Sequence, residues 1–263
     1  MAQGRDRLVL LGGSLALVVA LIVRAEGTGL ADHRAAAVPT VRADPRAGGC
    51  PAPAGDAVRV APGAGKTVAL TFDDGPGPWT AQVLRVLHRA HVPATFFVIG
   101  AQAAADPALI RQTAAYGNLI GNHTWSHRPP TNGRAWSRDY LTGELTRTDR
   151  ALHGIIGVGT CWFRPPDGVL AGAEPVARSR GLRIALWSVD PQDWRLQAGI
   201  KADRSGRLSA TITARAEAGG RQQHPVILLH DGGGYRGATA AALPSIIDYY
   251  RLHGYRFVRL DGR

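Results

Sequence analysis

The sequence predicts an α/β chain built on a parallel sheet, and three observations carry that reading. From Thr67 onward, short runs of β-branched and apolar residues alternate with amphipathic stretches, as in repeated β–α units. Two of the runs, 183–189 and 226–229, are almost continuously apolar, as strands covered on both faces should be. Run after run also ends, on its C-terminal side, in chemically capable groups, and that edge is where α/β sheets and barrels build their sites. The repeat is compatible with a sheet that stays open or one that closes into a barrel.

The elements follow in order. The first strand, 67–72, stops at Asp73-Asp74-Gly75-Pro76, two acids and a turn. Successive strand residues point to opposite faces, so one carboxylate cannot duplicate the other. An amphipathic helix spans 79–90, with Val83, Leu84, Val86 and Leu87 on its apolar side. Strand 94–99 precedes a helix over 107–116, opened by Asp106-Pro107 and closed by Gly117. Residues 119–121 form a short strand that runs into Asn122-His123-Thr124-Trp125-Ser126-His127, and a helix follows around 137–153. Strand 160–163 ends in Arg164-Pro165-Pro166-Asp167-Gly168, and a helix over 174–179 stops at Gly181. Strand 183–189 ends in Asp190-Pro191-Gln192-Asp193-Trp194. A polar stretch leads to a helix around 209–218, a strand at 226–229 ending in His230-Asp231, a helix at 238–252 and a last strand at 256–260.

Ahead of this region lie two other segments. Arg5 and Arg7 precede an apolar run, 8–23, broken only by Gly12, Gly13 and Ser14, which has the shape of a secretory signal. The run falls slightly short of the roughly 18–20 residues of a spanning helix, and no Ala-x-Ala site follows at once, so a cleaved signal peptide and an uncleaved anchor both fit residues 1–25. Residues 26–65, rich in Ala, Gly, Pro, Asp and Arg, read as a linker that cannot bury much. Residues 66–263 form one domain. Cys50 in the linker and Cys161 in a strand-like run are the two cysteines of the chain. In an exported protein they suggest a disulfide tying linker to domain, the alternatives being a buried free Cys161 and an exposed free Cys50.

The formal net charge is +11, and only Lys66 and Lys201 of the 31 basic residues are lysines. The excess is scattered, with no block of like charge. A basic surface favours anionic partners such as a wall polymer or anionic lipid headgroups; no nucleic-acid-reading motif is present. The sequence carries no signal of oligomeric state.

Five strand ends hold Asp73 and Asp74, His123 and His127, Arg164, Asp190 and Asp193, and His230. So many in one domain point to a site rather than to solvated turns. His123 and His127 are four apart, which on a helical turn puts both imidazoles on one side, as paired metal ligands. One carboxylate completes a His, His, Asp set suited to Zn²⁺ or a similar divalent ion. A second acid could then take a water proton and His230 could protonate a leaving group, which adds up to metal-assisted hydrolysis of an acyl bond. There is no Gly-x-Ser-x-Gly elbow, phosphate-cradling loop or dinucleotide fingerprint. The remaining histidines, His33, His88, His91, His153, His224 and His253, are not assigned to the metal.

Thr71-Phe72-Asp73-Asp74-Gly75-Pro76, His123-Thr124-Trp125-Ser126-His127, Arg164-Pro165-Pro166, Asp190-x-x-Asp193-Trp194 and Leu228-Leu229-His230 resemble, in order and spacing, the five motifs of the polysaccharide deacetylases, the NodB-homology domains of carbohydrate esterase family 4. The resemblance covers about residues 66–260. It implies a distorted (β/α) barrel, commonly of seven strands, and hydrolytic removal of N-acetyl groups from glycans such as peptidoglycan or chitin oligomers, or of O-acetyl groups from xylan. It implies Asp73 as catalytic base, Asp74, His123 and His127 as ligands of Zn²⁺ (or Co²⁺ or Mn²⁺), and Arg164 as the partner that keeps Asp73 ionised. It implies His230 as general acid, oriented by Asp193 with Asp190 as the alternative, and Trp194 and Leu228 as the pocket for the acetyl methyl. Two departures bear on substrate preference. Asp167 stands where the family usually has an aromatic, a position whose backbone N–H serves the oxyanion, and Arg128-Pro129-Pro130-Thr131 lacks an expected apolar residue. The reading is an exported enzyme, extracellular or anchored on the outer membrane face, acting on an N-acetylated glycan. Rival readings are an acetylxylan esterase, a non-sugar amide hydrolase on the same scaffold, and a catalytically impaired glycan-binding protein.

Overall fold

The computed structural model describes residues 56–263. The expected signal or anchor, most of the linker and Cys50, hence the Cys50–Cys161 pairing, lie outside the described residues. Among the described residues no helix is long and apolar enough to cross a membrane.

Among the described residues there are seven strands: β1 (Thr67–Asp73), β2 (Thr95–Val98), β3 (Leu119–Asn122), β4 (Trp162–Phe163), β5 (Arg183–Ile184), β6 (Val226–His230) and β7 (Arg256–Phe257). Every strand pairing is parallel, along the path β5-β4-β3-β2-β1-β6, with β7 beside Thr67 and Val68 at the start of β1. The helices are α1 (Thr80–Arg89), α2 (Gly100–Ala105), α3 (Pro107–Ala115), α4 (Arg138–Ile156), α5 (Ala173–Ser179), α6 (Asp193–Leu196), α7 (Arg207–Glu217) and α8 (Gly237–Leu252).

Period-two alternation along β1 sorts its side chains. Val68, Leu70 and Phe72 join the outer core with Val83, Leu84 and Leu87 of α1 and Leu243, Ile246 and Ile247 of α8. Ala69 faces the other way, into a cluster with Phe97, Trp162, Ala185 and Val226. A third cluster packs Leu141 and Leu145 of α4 and Val176 of α5 onto Phe163 and Leu186. The helix-ending signals act as expected: the Asp106 carboxylate accepts from the Leu109 N–H at 3.1 Å, and Gly117 takes φ 78°. α2 and α6 were not anticipated; at six and four residues they are too short for a periodic pattern.

The expected strand 183–189 is broken after Ile184. The carbonyls of Ala185 and Leu186, which a continuous strand would offer to a neighbouring strand, instead accept from Nε and Nη2 of Arg164 at 3.1 and 2.8 Å. Beyond the break the chain rejoins the sheet at its far edge. Ser188 and Val189 N–H groups donate to Val226 O, and Leu228 N–H donates to Val189 O at 2.9 Å. These bonds link the β5 side to β6 and curl the sheet into a distorted barrel. Register places Asp73 opposite Phe97 of β2 and His230 of β6, so the polar strand ends share one rim.

Candidate active site and metal centre

Asp73 closes β1 and is 3% exposed. Its Oδ1 accepts from Arg164 Nη1 at 2.8 Å. Arg164, fully buried, also donates from Nη1 to Thr71 Oγ1 at 2.8 Å and lies over the Phe97 ring at 4.3 Å. With the two carbonyls beyond β5, the guanidinium fork is thus satisfied at Nε, Nη1 and Nη2, which a lysine could not reproduce. The charge and hydrogen bond of Arg164 favour the ionised form of Asp73, the direction expected of that pairing, while burial works against it. Burial raises the Asp73 carboxyl above its ordinary range, and the charges of Arg164 and His230 with the Arg164 hydrogen bond draw it back only in part. The result is a more basic carboxylate.

Asp74 follows with φ 72°, a left-handed conformation that turns its side chain away from the strand alternation. Its Oδ1 lies 3.6 Å from His123 Nε2 and 3.2 Å from His127 Nε2 and is buried without a hydrogen-bond partner. The three ligand atoms lie within 4.8 Å of one another. Ligand atoms on a tetrahedral Zn²⁺, with bonds of about 2.0–2.1 Å, stand roughly 3.3 Å apart, so the observed separations fit a cation. The chemistry of the donors fits as well. His123 Nδ1 lies 2.6 Å from the Arg164 carbonyl, which can only accept, so Nδ1 carries the proton and Nε2 keeps its lone pair toward Asp74. Burial, aided by the charge of His127, lowers the His123 pKa to about 3 against the pull of Asp74, so the ring is neutral.

The helical-turn explanation for the His123–His127 spacing is wrong. Residues 123–127 form a bend, not a helix, with φ 67° at Thr124 and 50° at His127. Glu144 of α4 pins that bend: its Oε2 accepts from the N–H groups of Trp125 and Ser126 at 3.1 and 2.8 Å. The two rings end 4.9 Å apart by this route.

Across the rim, His230 Nδ1 and Asp193 Oδ1 are 2.7 Å apart. Asp193, at the start of α6, is fully buried, and its Oδ2 also accepts from the His230 N–H at 2.9 Å and the Thr239 hydroxyl at 2.7 Å. Asp190 is exposed and accepts from the Gln192 N–H instead; the structure brings Asp193, not Asp190, to His230. Burial alone would depress His230, but the charge and hydrogen bond of Asp193, reinforced by Asp73 and Asp74, raise it to about 9. For Asp193 burial works upward, and His230 with Thr239 outweighs it and holds the carboxyl below its ordinary value.

These groups open onto a cavity of about 810 Å³ whose lining includes Trp194, Leu228 and Asp167. Trp194 is 46% exposed and Leu228 3%. Asp167 is exposed at φ 55°, a conformation that Asp enters more readily than most residues. Three contributors were not singled out in the sequence. Trp187 lines the cavity from the broken strand. Arg236 lines it as well, 4% exposed, donating to the carbonyls of Tyr235 and Gly233. Asp231 is buried behind the Asp74-Gly75 turn, where it accepts from the Thr80 hydroxyl, and burial with the nearby Asp74 charge raises it to about 7. Its adjacency to His230 was the one available sequence signal.

A sequence profile of the polysaccharide deacetylase family matches residues 61–184. A peptidoglycan-N-acetylglucosamine deacetylase of Bacillus cereus is 34% identical over 74% of this chain and 87% of its own. A chitooligosaccharide deacetylase of Rhizobium leguminosarum bv. trifolii is 33% identical over 72% and 88%. The chain spans 38% of the length of a Listeria monocytogenes peptidoglycan-N-acetylglucosamine deacetylase, 32% identical over 74% of this chain. Among solved structures, a family 4 carbohydrate esterase from Streptomyces lividans in complex with acetate superposes with a TM-score of 0.63, at 30% identity over 73% of this chain and 91% of that one.

Proposed function

The chain belongs to the polysaccharide deacetylase family, and on that premise we propose that it is a metal-dependent hydrolase that removes N-acetyl groups from a polysaccharide, with peptidoglycan favoured and chitin-type oligomers next. The observation that carries the reading is the meeting, on one cavity, of the Asp74–His123–His127 cluster, the buried Asp73 and His230, with Asp193 buried behind His230. The relatives from Bacillus cereus and Rhizobium bear names with those two substrate classes.

In this reading Asp74, His123 and His127 hold a divalent cation. Zn²⁺ suits a mixed imidazole and carboxylate set, with Co²⁺ or Mn²⁺ as substitutes. The cation supplies Lewis acidity toward water and toward the acyl oxygen. Asp73, more basic than an ordinary carboxylate, accepts the proton as water adds to the amide carbon. Arg164 fixes the Asp73 carboxylate in place through Oδ1, leaving Oδ2 toward the cavity. When the C–N bond breaks, His230 delivers a proton to the sugar nitrogen from Nε2, since Nδ1 is engaged by Asp193. The products are acetate and a free amine. Leu228 and Trp194 enclose the acetyl methyl.

The N-terminal apolar run supports an exported enzyme, released or held at the outer face of the membrane. The test is acetate release by the full chain from N-acetylglucosamine oligomers, peptidoglycan and acetylxylan, with and without chelator. Release that chelator abolishes, and that Asp73→Asn lowers at least 10³-fold, is expected. A folded, zinc-loaded protein that releases acetate from none of the three overturns the reading.

A further inference from the structure

We propose that the groove beside the metal-site bend binds carboxylate groups carried along the glycan strand, through Arg128 and Arg134, with Tyr140 as a platform for a sugar ring. The inference rests on the deacetylase reading and adds a preference for an acidic polymer over a neutral one.

The groove is separate from the main cavity, about 340 Å³, and is lined by Arg128, Pro129, Pro130, Arg134, Trp136 and Tyr140 among others. Its lining begins at Arg128, the residue that follows His127 of the metal cluster in the chain. It is also tied to the same bend through its far wall, because the Tyr140 hydroxyl lies 3.1 Å from Ser126 Oγ.

Its charges are uncommitted. Arg128 and Arg134 are exposed, and among the described residues neither side chain makes an ion pair, a hydrogen bond or a ring contact. Some arginines elsewhere on this surface find partners, as Arg180 does with Asp149 at 3.5 Å, Arg215 with Gln192 at 2.9 Å and Arg259 with Asp261 at 2.6 Å, while others such as Arg111 and Arg150 have none among the described residues; what sets Arg128 and Arg134 apart is that both line one groove. Glu144, an acid on the neighbouring α4, is committed to Trp125 and to the N–H and hydroxyl of Ser126. Two guanidinium groups without partners line one groove and give it positive charge, which an anion would complement. The fork geometry matches a planar carboxylate.

The aromatic wall is rigid. Trp136 is 5% exposed and anchored by Nε1–H to the Val169 carbonyl at 2.8 Å and by its N–H to the Ala171 carbonyl at 2.8 Å. Tyr140 stacks on it, at 6.3 Å and 10° between planes, yet remains 43% exposed. A ring held at its hydroxyl and on one face presents apolar surface without further ordering cost. Pro129 and Pro130, also in the lining, stiffen the backbone there. The chemistry therefore fits a sugar chain with acidic substituents, and the absence of the apolar residue expected at 128–131 becomes a gain of charge recognition.

The test compares the full, zinc-loaded chain with the Arg128→Ala/Arg134→Ala double variant, the Arg128→Lys/Arg134→Lys double variant and Tyr140→Ala. Acetate release is measured on neutral N-acetylglucosamine oligomers, on peptidoglycan, and on peptidoglycan whose carboxylates have been amidated. Co-sedimentation with intact and amidated peptidoglycan is measured alongside, since it needs no turnover. The double alanine variant should raise KM on peptidoglycan about tenfold, keep its rate on neutral oligomers, and co-sediment like wild type only with amidated material. The lysine variant should recover part of the loss, and added salt should weaken wild type more than the alanine variant. Equal losses on neutral and acidic substrates, or unchanged co-sedimentation with intact peptidoglycan, overturn the groove. Failure of wild type on every substrate overturns the deacetylase reading instead, and co-sedimentation still decides the groove.

Discussion

At the scale of single residues, the protonation of His230 hangs on Asp193. The carboxylate lifts His230 to about 9 from an ordinary value near 6.5. In the proposed role of proton donor to the leaving amine, His230 should hold activity up to that region, and kcat/KM should fall as pH rises through about 9. Asp193→Asn removes the largest opposition to burial and leaves only the charges of Asp73 and Asp74, so the alkaline limb should move to lower pH while zinc binding persists; a limb that stays in place would remove His230 from the role of acid. The linkage sign follows from the same shift. A folded-state value above the unfolded one gives stability that is fully present below about 6.5 and lost as pH rises through 9, worth ~3 kcal/mol. Urea unfolding of wild type and the variant at pH 6 and pH 9.5 should show their gap narrowing at the higher pH. The sequence placed both Asp190 and Asp193 at one strand end, and only burial and the 2.7 Å contact separate them.

At the scale of elements, the site depends on how closely β6 approaches the turn after β1. The Asp231 N–H donates to the Asp73 carbonyl at 3.1 Å, and a Cβ at Gly232 would fall on the Asp74 carbonyl. Backbone cannot yield as a flexible side chain can. Gly232→Ala should therefore displace Asp74 and weaken zinc binding at least tenfold by calorimetric titration, with far-UV circular dichroism unchanged. Undiminished zinc affinity would show that the turn adapts. Element positions were legible from the alternation of apolar runs with turn residues, as at 67–72 and 226–229. Element continuity was not: residues 183–189 read as one strand because each residue suits a strand, and the diversion of two carbonyls to Arg164 is a contact 21 and 22 residues back along the chain.

At the scale of the whole molecule, the curled sheet collects groups from β1, β3, β4 and β6 onto one rim, and a cation there ties β1 to the bend after β3. A ligand that binds only the folded state stabilises it by about 2.7 kcal/mol at a hundredfold excess over Kd. For a domain of this size that corresponds to a rise in Tm of roughly 5–10 °C. Zinc should produce it by differential scanning fluorimetry and chelator should reverse it. His123→Ala should abolish the response, and a response of equal size in that variant would place the stabilising cation elsewhere.

What the sequence determined by itself was the inventory and its edge. Residue type and strand alternation are local properties, so the seven strands, the polar endings and the chemistry of two carboxylates, two imidazoles, an arginine and a further histidine could be read directly. The tertiary structure decided which of these groups face one another and in what state. The partners of Asp73 and His230 lie 91 and 37 residues away. Burial, which raises Asp73 and Asp231 and keeps His123 neutral, is set by the packing of several elements at once. The bend that joins His123 to His127 rests on left-handed backbone at Thr124 and His127, which Glu144 from α4 holds in place.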